Sequence, residues 1–180
     1  NYSILNLINF KKKFKMKKHI LLVVILLVSM TTNAQKRMSK NKKALVNSIE
    51  KHKKNLIEIS DNIWEAAEPA LLEFKSSNYL SDYAEENGFT VKKGVAGIQT
   101  AFVAEYGSGK PIIGIMGEFD ANLGISQKKQ PIKDPLVKGA PGHGCGHNLF
   151  RTASLGAAIA IKEMIESGEI SGTVRFYGTP

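Results

Sequence analysis

Apolar positions recur at helical spacing throughout the segment 45–64. Intervals of four, seven, three and four residues separate Leu45, Ile49, Leu56, Ile59 and Ile63. Residues at such intervals share one face of a helix, so the segment is predicted to be an amphipathic helix. Trp64 continues this stripe and is interpreted as a packing residue. The many lysines between 36 and 54 lie mostly off the stripe, which favours a solvated face over a nucleic-acid site.

The rest of the chain alternates between helix and strand patterns. Helices are predicted over 78–86 and 149–167, and strands over 98–106, 111–117 and 173–177. A glycine-rich turn at 107–110 separates two of these strands, so the two are predicted to pair as a hairpin. The strand 111–117 is almost wholly apolar and is therefore predicted to be buried. Strands mixed with helices predict an α/β layered fold.

The first 34 residues have the order of an export signal. Residues 1–15 precede Met16, the first methionine, and are interpreted as an upstream extension of the reading frame. After Met16 come two lysines, an apolar run and small residues that end at Ala34, as in a cleavable signal peptide. The apolar run is shorter than the ~20 residues that span a bilayer, so no stable anchor is expected after cleavage. We therefore expect residues 35–180 to be periplasmic or secreted.

Charge and cysteine content narrow the function classes. The net charge is +9, but residues 1–34 hold six lysines and no acidic residue, so the remainder is nearly balanced. This distribution predicts no nucleic-acid partner. The only cysteine, Cys145, excludes an intramolecular disulfide framework and a four-cysteine zinc cage.

The residues with distinctive chemistry lie at the end of a long irregular stretch, 118–146. In the segment 141–148, PGHGCGHN, single glycines separate His143, Cys145 and His147. In an extended backbone alternate side chains point to one side, so these three are predicted to share a face. Thiolate and imidazole are ligands that suit zinc, and imidazole also suits other first-row metals. Ligation would also protect the thiol from oxidation outside the cytoplasm.

Two carboxylates form a second candidate cluster. Glu118 and Asp120 follow directly on the predicted strand 111–117. Ligands of open α/β sheets bind at the carboxyl ends of strands. The two carboxylates are therefore predicted to orient ligand histidines from a supporting position, although solvation of a strand end is an equal explanation.

Two other interpretations of the histidine–cysteine loop remain open. The loop could be a tight turn with incidental side chains, although three scarce residues within five positions argue against this. Alternatively, Cys145 could be a nucleophile with a neighbouring histidine as its base. Residues two apart rarely achieve that alignment, because the base usually comes from elsewhere in the fold.

Three motifs together resemble a known family. The segment 138–149, which contains GHGCGHNL, resembles the metal loop of the amidohydrolase and aminoacylase-like metallopeptidases, in particular the aminobenzoyl-glutamate hydrolase branch of the B-subunit type. The segments 117–127 and 172–180 are similar to strand-end motifs of that branch. The resemblance covers roughly residues 45–180. It departs from the family at 122–123, where Asn-Leu replaces the usual Leu-Pro.

The resemblance implies a hydrolase of amide bonds in N-acyl amino acids or small peptides, with two divalent metal ions, Zn or Mn. Cys145 and His147 match metal-ligand positions, whereas Glu118, Asp120 and His143 match supporting positions. The implied fold is the N-terminal part of a mixed-sheet, helix-flanked dinuclear-metal hydrolase catalytic domain. The implied full-length protein is a homodimer.

The same resemblance implies parts that lie beyond this sequence. The family's general-base glutamate is expected just after Pro180, and further ligands and the dimerisation segment are expected later. Residues 35–180 alone are therefore expected to bind metal weakly and to lack catalytic residues and amidase activity. The alternative function is an exported, non-enzymatic module that binds a metal or an anion, with the helix stripe and the basic segment docking a partner.

Overall fold

The structure is a computed structural model that describes residues 38–180. The predicted extension 1–15 and the predicted signal peptide 16–34 lie outside the described residues. Among residues 38–180, no helix has both the length and the apolar character needed to cross a membrane.

Three helices flank the sheet, and all three were predicted. Helix α1 spans Lys40–Ala66, α2 spans Phe74–Glu86 and α3 spans His147–Glu166. Ser39 caps the start of α1 by accepting a hydrogen bond from the backbone N–H of Lys42 at 3.3 Å. Helix α2 begins four residues before the predicted start, and α3 begins two residues before it.

The predicted stripe of α1 is its packing face. Leu56, Ile59 and Ile63 are buried, and they belong to the same core as Leu155 of α3. Gly156 of α3 allows a close approach, because a Cβ there would lie 2.9 Å from a methyl carbon of Leu56. Three of the five stripe residues therefore pack within the fold, whereas Leu45 and Ile49 are partly exposed.

Four strands form one mixed sheet in the order β1-β2-β4-β3. They span Thr90–Lys93 (β1), Phe102–Ser108 (β2), Ile112–Glu118 (β3) and Gly172–Thr179 (β4). Strand β2 pairs antiparallel with β1 and β4, whereas β3 runs parallel to β4. This mixed sheet with flanking helices confirms the predicted fold class.

The predicted hairpin of β2 and β3 is wrong, because β4 lies between the two strands. Ser108 at the end of β2 pairs with Gly172, and Ile112 at the start of β3 pairs with Thr173. The connection between β2 and β3 therefore crosses the width of β4. Strand β4 buries Val174 and Phe176 completely, and burial of such side chains favours a central position.

Strand β3 also differs from its prediction as a buried strand. It pairs with one described strand only, and Ile112, Ile113 and Met116 are each about half exposed. An apolar run shows that a strand can be buried, but the run does not say whether a neighbour covers it. Strand β1 and the short 3₁₀ helix Val95–Gly97 were not predicted, and β2 begins four residues later than expected.

Candidate metal centre

His147 lies where the sheet edge meets a helix start. It is the first residue of α3, and Gly146 before it adopts a left-handed conformation with φ of 78°. Glycine takes this conformation without the steric cost that a side chain adds. The end of β3 lies close by, because a Cβ on Gly117 would lie 3.2 Å from the Cα of Arg151. The two glycines thus let the loop and the strand meet at His147.

Two carboxylates contact the His147 ring from the end of β3. Its Nδ1 lies 2.7 Å from Oδ1 of Asp120 and 3.2 Å from the backbone oxygen of Asp120. Both partners are acceptors, so Nδ1 carries the proton and donates. Its Nε2 lies 3.4 Å from Oε2 of Glu118. The structure therefore brings together three of the five predicted site residues, two from the end of β3 and one from the start of α3.

Cys145 is exposed and free, two residues before His147. The backbone here is not the extended strand that the alternation suggested. It bends at 144–145, and the Gly144 N–H donates to the Gly142 carbonyl at 3.1 Å. The extended backbone on which the predicted common face of His143, Cys145 and His147 depended is therefore not formed.

His143 is hydrogen-bonded to the end of α1. Its Nε2 lies 3.0 Å from the Ile63 carbonyl, which can only accept, so Nε2 carries the proton. Burial lowers the pKa of His143, and the hydrogen bond to Ile63 only partly offsets this. The ring is therefore neutral near neutral pH, and its Nδ1 is a buried acceptor without a partner among residues 38–180.

The described donors fit a divalent metal in chemistry but not in number. Imidazole and carboxylate groups meet at His147, and an accessible thiol lies two residues away. Nevertheless, residues 38–180 contain no cluster of three or more His, Cys, Asp or Glu that could hold a metal ion. A catalytic metal needs about three protein ligands. The donors that converge in this part of the chain are therefore fewer than a catalytic metal requires.

Arg151 is a buried charge beneath this site that the sequence interpretation missed. It is fully buried on α3, and its guanidinium carbon lies 4.5 Å from the ring centre of Phe119, 4.6 Å from that of Phe176 and 5.4 Å from that of Phe102. One Nη donates to the Tyr177 carbonyl at 2.9 Å. Burial lowers the pKa of Arg151 to about 9, against the effect of nearby carboxylates.

A sequence signal for Arg151 existed. It stands four residues before Leu155 and seven before Ala158, both fully buried, so it occupies the apolar face of α3. Glu73 is another buried acidic or basic residue, and its two carboxylate oxygens have no hydrogen-bond partner among residues 38–180. Burial raises the pKa of Glu73. No helical or strand periodicity marked Glu73, because it lies just before α2.

Solved structures place this fold in a class. No family model matches the sequence. The Bacillus subtilis YXEP protein, described as a dinuclear metal-binding peptidase of the M20 family, is 27% identical with a TM-score of 0.54, over 71% of this chain and 36% of that one. A protein of methicillin-resistant Staphylococcus aureus, provisionally named an aminohydrolase, has a TM-score of 0.63 at 23% identity, over 77% of this chain and 34% of that one. The fold is that of part of an M20-type catalytic domain.

A curated relative makes the resemblance more specific. The chain is 44% identical over 136 residues to the B subunit of p-aminobenzoyl-glutamate hydrolase from Escherichia coli (strain K12). The match covers 74% of this chain and 28% of the relative, so the chain spans little more than a quarter of that protein's length. The resemblance to the amidohydrolase and aminoacylase-like metallopeptidases, in the aminobenzoyl-glutamate hydrolase branch of the B-subunit type, is confirmed.

Proposed function

We propose that this chain carries part of the catalytic site of a metal-dependent hydrolase that cleaves amide bonds in N-acyl amino acids or small peptides. The Escherichia coli relative, named a hydrolase of p-aminobenzoyl-glutamate, supports this class of substrate. The observation that carries the proposal is the contact between His147 and Asp120, at 2.7 Å, beside an exposed cysteine.

Cys145 and His147 are the proposed metal ligands. A histidine that binds a metal through one ring nitrogen usually donates the N–H of the other nitrogen to a carboxylate. Asp120 accepts from Nδ1 in this way, which leaves Nε2 of His147 for a metal. Glu118 faces that nitrogen at 3.4 Å and adds negative charge beside it. His143 supports the loop instead, through its bond to the carbonyl of Ile63.

A divalent ion held here, Zn or Mn, would supply Lewis-acid chemistry by polarising the amide carbonyl and activating water. This chain's own residues prepare the place. Asp120 fixes the ring orientation and the tautomer of His147, and the buried Phe119 between the two carboxylates holds both near the ring. We propose that the general base, the other ligands and a dimer contact come from regions equivalent to the parts of the relative that this chain does not match.

The first test measures metal binding by calorimetry on the full 180-residue chain, with Zn and Mn in turn. We expect weak binding that is lost in Cys145→Ala and in His147→Ala. Asp134→Ala is the matched control, because its carboxylate pairs with Lys128 on the same long loop and has no contact with His147. Unchanged affinity in Cys145→Ala would remove that residue from the ligand set.

The second test measures hydrolysis. With fewer than three converging donors in residues 38–180, we expect no turnover of p-aminobenzoyl-glutamate by this chain alone. Turnover by the purified chain would overturn the proposal that it holds only part of the site. Turnover that alkylation stops and chelators do not affect would instead favour Cys145 as a nucleophile.

We also propose that the protein is exported through the segment 16–34. The order of charged, apolar and small residues supports this. Sequencing the N-terminus of the protein recovered from outside the cytoplasm tests it. A first residue at Gln35 is the expected result, and recovery of an intact segment 16–34 from the cytoplasm would contradict it.

A further inference from the structure

Arg151 stands on α3 where an apolar side chain would be the ordinary choice. It is fully buried, and its Nε and one Nη have no hydrogen-bond partner among residues 38–180. A buried charge without a bonded carboxylate is costly, and an apolar residue of similar size is often at least as stable in its place. The stability of the fold therefore does not explain an arginine here, and its neighbours indicate another role.

The guanidinium of Arg151 lies against the ring of Phe119. Its central carbon is 4.5 Å from the ring centre, a distance at which the cation and the ring attract each other, more strongly where water is excluded. Phe119 is fully buried, whereas its neighbours Glu118 and Asp120 are more exposed. The ring thus anchors in the core the short segment that carries both site carboxylates.

Helix α3 contacts this segment at two places one turn apart. His147 and Arg151 are four residues apart, and side chains at that spacing are neighbours on one face of a helix. The His147 ring bonds to Asp120 at 2.7 Å, whereas Arg151 contacts Phe119. A shift of Phe119 relative to Arg151 would therefore move Asp120 relative to His147.

The same guanidinium also bonds to the neighbouring strand. One Nη donates to the Tyr177 carbonyl at 2.9 Å, and Tyr177 pairs with Met116 in the parallel ladder of β3 and β4. Ser154, three residues further along α3, donates to the Met116 carbonyl at 3.0 Å. Both strands are thus bonded to a single turn of α3 just before β3 leads into the site.

We propose that Arg151 is a positioning residue of the candidate metal centre: it holds Phe119, and through Phe119 it keeps the Asp120 carboxylate in contact with Nδ1 of His147. The proposal rests on the proposed hydrolase function and adds to its site a residue that touches neither metal nor substrate. The contact with Asp120 is what places the proton of the ring on Nδ1. A residue that only filled the core would stabilise the fold without affecting this proton.

NMR on the full chain, isotope-labelled in its histidine rings, measures which nitrogen of His147 carries the proton. The chain has four histidines, and the spectrum of His147→Ala assigns the signal of His147. Chelator is present and the pH is about 8, above the ordinary histidine pKa of about 6.5, so the measurement needs neither metal nor turnover. We expect the proton on Nδ1 in the unaltered chain, and a proton on Nε2 would overturn the proposal.

Arg151→Met removes the charge and keeps much of the side-chain volume. We expect the ratio of the Nδ1–H to the Nε2–H tautomer of His147 to fall at least about fivefold in this variant. Leu155→Ala is the matched control, because Leu155 is fully buried one turn later on α3, so its loss destabilises the core and should leave the ratio unchanged. An unchanged ratio in folded Arg151→Met, or an equal fall in Leu155→Ala, would overturn the proposal.

Phe119→Leu tests whether Arg151 acts through the ring. It should lower the ratio as Arg151→Met does, and the double variant should lower it no further, because both changes break the same link. An unchanged ratio in Phe119→Leu would overturn the proposal even if Arg151→Met does not fold.

Zn affinity, measured in parallel, should be about tenfold lower in Arg151→Met than in Leu155→Ala. If the unaltered chain binds no Zn, the proposed ligand set fails, and the tautomer measurement still decides the role of Arg151.

Discussion

His147 begins α3, and His52 of α1 contacts the other end of α3. The two histidines have similar contacts, yet only His147 belongs to a candidate site. His147 has Asp120 at 2.7 Å on Nδ1 and Glu118 at 3.4 Å on Nε2. His52 of α1 has the Tyr83 hydroxyl at 2.7 Å on Nδ1 and Glu163 of α3 at 3.0 Å on Nε2. Each ring thus has two oxygen partners at comparable distances.

The surroundings of the two rings differ. His52 joins three helices, and Lys51 and Asn55 complete the hydrogen bonds of its partners, at 2.8 and 3.3 Å. His147 has instead an exposed thiol two residues away and a cavity beside its loop. A histidine with acidic partners therefore does not define a site. The accessible thiol near His147 distinguishes the candidate metal centre from the contact that His52 makes between helices.

The largest expected effect is the difference in metal affinity between variants of the two histidines. His147→Ala should lower Zn affinity by more than about 100-fold, because it removes a proposed ligand and not merely an orienting partner. His52→Ala should leave the affinity unchanged and lower thermal stability. Both are measured by calorimetry and by thermal unfolding. Equal loss of metal affinity in the two variants would contradict the proposal that His147 binds metal and His52 does not.

Asp120→Asn tests the orienting carboxylate next. The amide keeps the shape of the side chain but removes the charge that holds the His147 tautomer, so Zn affinity should fall about 10- to 100-fold. Asp82→Asn serves as the control, because Asp82 pairs with Lys93 on the surface and has no contact with His147. An affinity in Asp120→Asn that equals the control would remove Asp120 from the site.

Tyr83→Phe tests the cluster of hydrogen bonds around His52. It removes the hydroxyl bonded to His52 and leaves a partly buried ring nitrogen unpaired, so the free energy of unfolding should fall by about 1 kcal/mol. Urea unfolding measures this change. Tyr79→Phe on the same helix is the control, since Tyr79 is 38% exposed. Metal affinity should be the same in both variants.

The smallest effect is the pH dependence of Glu163. Burial opposes its charge, but hydrogen bonds from Lys51 and His52 outweigh burial and lower the pKa from 4.5 to about 2. The lowered pKa stabilises the fold above about pH 4.5, and this contribution is lost as the pH falls through 2. Because the carboxylate is partly exposed, its contribution is about 1 kcal/mol or less. As the pH falls, the free energy of unfolding measured with urea should decrease less in Glu163→Gln than in the unaltered chain.

Several parts of the molecule followed from the sequence because their signals are local. The α1 stripe predicted a packing face since helical spacing alone puts Leu56, Ile59 and Ile63 on one side. The proximity of Glu118 and Asp120 to His147 was expected because strand ends and helix starts meet at the edge of a layered sheet. The histidine–cysteine loop indicated its family through residue types at fixed spacing.

The tertiary structure decided what local signals do not contain. Strand order depends on which strand can be covered on both faces, so β4 displaced the expected pairing of β2 with β3. The turn of His143 towards Ile63, and the burial of Arg151 among three phenylalanines, depend on groups far away in sequence. Periodicity determines which face of an element is apolar, whereas its partner is determined by packing between elements distant along the chain.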